Sequence, residues 1–187
     1  MSMHENRPTP ASDGDEGVAH CVTFVLGDEM FAIGIHHIRE IIEYEDITTV
    51  PMMPVFVRGI INLRGAVVPV IDLSSRFGRP LSEIKPGTCI AILSIEGDDE
   101  FSLLGILLDG VREVVEIPLH AIEPPPAFGT RLRSEFIRGI TTVAGRFVIL
   151  LDVQKALSVS ELSELADEVA RAHCSDSLGG ESARAST

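Results

Sequence analysis

Apolar residues in this chain fall in short runs separated by breaks rich in Gly, Pro and Asp. Short runs bounded by turn residues, and enriched in β-branched side chains, read as strands. Val22–Leu26 and Met30–Ile35 flank Gly27-Asp28-Glu29 and form a first hairpin. Cys89–Ile95 and Phe101–Leu108 flank Gly97-Asp98-Asp99 and form a second. Each hairpin is followed by a segment of one form, HIREIIE at His37–Glu43 and GVREVVE at Gly110–Glu116. Their length fits either a strand or a helical turn.

The strongest pattern is a third kind of hairpin, also present twice. Phe56–Leu73 reads FVRGIINLRGAVVPVIDL and Phe136–Val153 reads FIRGITTVAGRFVILLDV. Phe56/Phe136, Arg58/Arg138, Gly59/Gly139, Ile60/Ile140, Gly65/Gly145, Val68/Val148 and Asp72/Asp152 are identical, and five more pairs exchange one aliphatic residue for another. Gly65 supplies the positive φ that closes such a turn. The chain is therefore a duplication, and two copies of a five-strand unit predict an all-β protein of two small barrels sharing a buried seam. Taken in sequence order, the barrels cover about 22–73 and 89–153, with 74–88 as linker and the termini free to cross between them. Leu73 and Phe77 share one helical turn, which Gly78 and Pro80 end. Pro69 lacks a ladder donor and is expected at an edge or bulge.

Outside the duplicated body, which spans 20–157, the pattern changes. Residues 1–19 are polar, acidic and Pro/Gly-punctuated, and are expected to form a disordered leader. Ser158 and Glu161 have capping-box spacing, and Leu162, Leu165, Ala166, Val169 and Ala172 recur at helical intervals. An amphipathic helix over 158–174 and a disordered tail over 175–187 follow.

Composition narrows the function. Fifteen basic against twenty-eight acidic residues give a net charge of −13, which disfavours nucleic acid. With 45% hydrophobic residues and a mean hydropathy of +0.26 the chain buries a sizeable core, yet no run approaches a membrane span. Nothing in the first twenty residues resembles a secretory signal, so a cytoplasmic location is expected. Cys21, Cys89 and Cys174 lack a C-x-x-C spacing, and His36 and His37, as strand neighbours, would face opposite ways, so neither a disulfide framework nor a metal centre is indicated. Catalytic motifs are missing as well, and no cofactor is implied. Asp72 and Asp152, as repeat equivalents, are better read as closing the barrels than as a catalytic pair.

One position breaks the duplication. Arg64 precedes its turn glycine where the second copy has Ala144. Folding tolerates alanine there, so the guanidinium is available for a partner, and a planar fork on a rigid hairpin beside aliphatic walls suits a binding hot spot. Recurring Arg39/Arg112, Glu40/Glu113 and Ile38/Val111 fit folding roles, although the aliphatic pair could equally line a groove.

Together Thr23–Ile35, Ile38–Ile41 (IREI), Pro54–Asp72 (PVFVRGIINLRGAVVPVID) and Asp109–Val114 (DGVREV) resemble the chemotaxis coupling protein family CheW. The resemblance spans about Cys21–Leu157 and implies two SH3-like five-stranded β-barrels without catalytic activity. It implies a scaffold linking the helical cytoplasmic tip of chemoreceptors to the regulatory domain of the histidine kinase CheA. Carried over by motif, receptor contact falls to Ile38, Glu40, Ile41, Gly59, Arg64, Cys89, Val111 and Val114, with Glu40 positioning Arg64. The chain alone is expected to be monomeric. A small-ligand or enzymatic barrel using the inter-barrel seam is the alternative.

Overall fold

The computed structural model describes residues 17–96, 101–126 and 132–158. Ten strands run in the order β1 (Val18–Leu26), β2 (Glu29–Gly34), β3 (Ile38–Glu43), β4 (Val57–Leu63), β5 (Ala66–Asp72), β6 (Cys89–Glu96), β7 (Phe101–Leu108), β8 (Gly110–Pro118), β9 (Ile137–Val143) and β10 (Arg146–Leu151). Helical turns α1 (Leu73–Arg76) and α2 (Val153–Ala156) follow β5 and β10. The IREIIE and VREVVE segments are thus strands, in β3 and β8.

Pairing divides the strands into two five-stranded sheets, ordered β3-β6-β7-β5-β4 and β8-β1-β2-β10-β9. The division into 22–73 and 89–153 is therefore corrected. Strands β3–β7 make one contiguous inner barrel, and the outer barrel is assembled from β1–β2 and β8–β10 on either side of it. Periodicity specifies which residues are strands but not their partners. Here the parallel pairings β5 with β7 and β10 with β2 decide the exchange.

A bridge beyond the last named strand closes each sheet. Thr48 and Ile60 exchange two backbone hydrogen bonds of 2.9 Å, and Glu123 and Ile140 exchange two of 2.8 Å. Gly59 and Gly139 sit beside these bridges. A Cβ on Gly59, whose φ is +143°, would lie 2.1 Å from the Thr48 carbonyl oxygen, and one on Gly139 would lie 2.8 Å from that of Glu123. These glycines recur because the chain must approach itself there.

Three apolar cores result. Ile61, Val68, Val70, Ile90, Ile92 and Leu107 fill the inner barrel, while Cys21, Ala32, Ile117, Val148 and Leu150 fill the outer one. The largest lies between the barrels, where Phe24, Phe31, Phe56, Phe77 and Phe136 meet Leu93, Ile95, Ile106 and Leu151. The seam is thus packed core, which removes it as the pocket of a small-ligand or catalytic barrel.

Details differ from expectation where tertiary pairing intervenes. Strand β1 starts at Val18, inside the stretch read as leader, because Val18, Ala19 and His20 pair with Pro118, Ile117 and Glu116. The rest of that leader, the 158–174 helix beyond its first residue and the 175–187 tail lie outside the described residues. Pro69 is in an interior strand, not at an edge. Its missing N–H is accommodated because pairing of β5 with β7 begins only at Val70, whereas in the second copy the ladder starts at Val148. Asp72 and Asp152 cap α1 and α2, accepting from the Ser75 and Lys155 N–H groups. Their own N–H groups donate to Phe56 and Phe136 carbonyls at 2.8 Å, tying the base of each hairpin.

Candidate binding site

The β4–β5 turn places both central residues in left-handed backbone, Arg64 at φ 50° and Gly65 at φ 87°. This is the geometry that matches the twist of a two-residue hairpin. The Gly65 N–H donates to Asn62 Oδ1 at 2.9 Å and firms the turn. Arg64 projects from this tip with 76% of its side chain exposed, and its two terminal nitrogens donate to the Glu40 carboxylate at 2.7 and 2.8 Å. Two parallel charge-assisted bonds fix a plane as well as a position. The Arg64 hydrogen bonds hold the Glu40 carboxyl below the usual glutamate range, and the same pairing raises Arg64. Glu40 is on β3, so this fork joins the hairpin tip to the strand at the opposite edge of the inner sheet.

Alternation along β3 turns Ile38, Glu40 and Ile42 to the half-buried side and Arg39, Ile41 and Glu43 to the exposed side. Ile41 lines a cleft of about 590 Å³ with Cys89 and Val111. This cleft runs from β3 and β6 of the inner barrel to the start of β8 in the outer one. Burial raises the Cys89 thiol, and a hydrogen bond with the Val111 backbone partly offsets it, placing the two barrels in contact here.

The residues proposed from sequence therefore separate. Ile41, Cys89 and Val111 share the cleft, and Glu40 with Arg64 forms the fork on the other side of β3. Val114 is exposed at 60% on β8, where it occupies the place that Ile41 holds on β3. Ile38 is half-buried against the seam core. Gly59 is buried and supports barrel closure, so it offers no surface; the shared motif identified it for a backbone reason. Sequence reasoning passed over Tyr44 and the linker residues Ile84 and Lys85, which complete the cleft. Ile84, exposed at 41% within the Pro-bounded linker, was the available signal.

His36 and His37 also depart from expectation. They lie in a 3-10 turn at Ile35–His37, not a strand, and their rings are adjacent with centroids 3.9 Å apart. Among the described residues no three His, Cys, Asp or Glu side chains gather as metal ligands. No described helix is long and apolar enough to cross a membrane.

Two barrels locked by a solid seam, presenting a cleft and an oriented guanidinium, define a twin-barrel protein with a surface suited to binding. The CheW-like domain family matches residues 20–161, and the chain belongs to that family. It is 34% identical over 150 residues to the chemotaxis protein CheW of Klebsiella aerogenes, covering 80% of this chain and 87% of the relative. With CheW of Treponema pallidum it shares 32% over 170 residues, 89% and 96% of the two chains. The crystal structure of the scaffolding protein TtCheW from Thermoanaerobacter tengcongensis superposes with a TM-score of 0.68 at 33% identity. That superposition covers 75% of this chain and 93% of that one.

Proposed function

We propose that this chain is a cytoplasmic chemotaxis scaffold that couples the tips of chemoreceptors to the regulatory domain of the histidine kinase CheA. The receptor tip, a helical hairpin, docks along β3, with Ile41, Cys89 and Val111 supplying aliphatic contact and Arg64 donating hydrogen bonds. Val114 extends the apolar contact on β8, and Ile38 backs it from beneath. The observation that carries this reading is Arg64 itself. It is held at φ 50° on a turn that its twin closes with Ala144, it is largely exposed, and Glu40 fixes its plane. Glu40 engages two of the guanidinium N–H groups, and the remaining donors are free to meet a helix.

Sedimentation of the full chain with a receptor-tip fragment and the kinase regulatory domain tests this. The chain alone should be monomeric and should enter a ternary complex. Arg64→Ala should leave the unfolding midpoint unchanged and weaken receptor-tip binding about thirtyfold, the effect of losing a hot-spot side chain. Equal losses of folding and binding would make Arg64 a structural residue.

A further inference from the structure

The duplication marks a second arginine for attention, in the other barrel. Arg58 on β4 lies 3.7 Å from the buried Asp72, so its charge is used within the fold. Its twin Arg138 on β9 makes no ion pair or hydrogen bond to another described residue: Asp152 faces Lys155, at 3.6 Å, and Arg138 acts only at longer range, on Cys21 and His37. Arg138 instead lines a hollow of about 390 Å³ that it shares with His20, His36, Val18, Ile35 and Leu119. That volume falls within the range of small-ligand sites.

The hollow has three nitrogen-bearing side chains against aliphatic walls. His20 Nδ1 is 3.6 Å from the Glu116 carboxylate, which engages one ring nitrogen and leaves the other. The His36 ring lies against Gly34, where a Cβ would come within 2.5 Å of Cε1; only glycine lets the ring take this place. The corresponding position in the other barrel is Asp109, whose carboxylate accepts from the Gly27 N–H at 2.8 Å. The lining of the hollow thus holds Arg138 and two imidazoles, with the Glu116 carboxylate beside His20. On a chain of net charge −13 a hollow whose lining includes Arg138 and no carboxylate is a local exception.

We infer that this hollow is a binding site for a short aliphatic carboxylate, with Arg138 engaging the carboxylate, His36 and His20 flanking it, and Val18, Ile35 and Leu119 taking the hydrocarbon. The site shares no residue with the Arg64 surface and does not depend on the reading of that surface. The carboxylate could belong to a free organic acid or to the carboxyl terminus of a peptide.

Histidine ring signals of the full chain, followed by NMR, test the assignment. Butyrate should shift the His20 and His36 signals to saturation, and butanamide of the same shape should not. Arg138→Gln should weaken binding about tenfold or more, the loss of a hydrogen-bonded charge. Gly34→Ala, which displaces His36 without demanding a new backbone conformation, should weaken it as well. Arg112→Gln, removing the same charge from β8, should not. A peptide, acetyl-Ala-Val with a free carboxylate, separates the sources. Tighter binding than butyrate assigns the site to chain termini, and equal or weaker binding assigns it to a free acid. A shift that does not saturate, an equal response to butanamide, or unchanged affinity in either the Arg138 or the Gly34 variant overturns the inference.

Discussion

The two hairpin turns, Arg64-Gly65 and Ala144-Gly145, have nearly the same backbone and different tips. Both non-glycine residues sit at φ 50°, followed by glycines at 87° and 76°. The left-handed region costs an ordinary L-residue about 1–2 kcal/mol, so neither Arg nor Ala is favoured there. The strain is common to both copies and cannot account for the arginine. What differs is reach, since Arg64 spans to Glu40 while the methyl of Ala144 is too short for any such fork. A duplication thus acts as an internal control: features present in both copies report folding, and features present in one report use.

The largest test of that comparison lies where the copies agree. Gly59→Ala should cost about 4 kcal/mol or prevent folding, because its Cβ would meet the Thr48 carbonyl and its φ resists a side chain. Gly139→Ala should cost less in the same denaturation experiment, since its φ is not in the left-handed region and the carbonyl its Cβ would meet, that of Glu123, lies at 2.8 Å and not 2.1 Å. Next come the paired aspartates. Asp72 is buried, accepting from the Ser82 N–H and hydroxyl at 2.8 and 2.9 Å, so Asp72→Ala should cost about 3 kcal/mol. Asp152 serves as a cap, and Asp152→Ala should cost about 1 kcal/mol. Equal losses would show that the two caps carry equal burdens.

Smaller effects sharpen the turn comparison. Ala144→Gly should stabilise by up to about 1 kcal/mol by relieving the left-handed strain, a shift visible in the thermal midpoint. The Glu40 carboxyl offers the finest measure. Its value in the fold is depressed, so the fork is intact above the ordinary glutamate range and is lost as pH falls through the depressed value. In Arg64→Ala, the Glu40 midpoint read by carboxyl NMR should rise toward the usual 4.5.

Local pattern made much of this molecule legible. Apolar runs and turn glycines gave the strands, and the repeated R-G hairpin gave the duplication. The absence of arginine at 144 singled out Arg64 from the pattern alone. Partner choice was illegible, because the alternation in β1 and β2 is satisfied equally by either barrel. The backbone constraint on Gly59 was illegible for a related reason, as Thr48, which it accommodates, is marked by no motif. The cleft was read in part, since Ile41, Cys89 and Val111 sit on patterned strands whereas Ile84 sits in a linker without periodicity.

The insertion of one barrel's sequence within the other's sets an order of events at the ribosome. Strands β3–β7 are all available once Leu108 has emerged, so the inner barrel can close on the nascent chain. The β1–β2 hairpin, made before them, must meanwhile wait with its Cys21 and Ala32 face uncovered until β8–β10 follow. A hairpin translated ahead of β3–β7 is thus locked in place after them, and the interval between these events is when the chain is most exposed to aggregation.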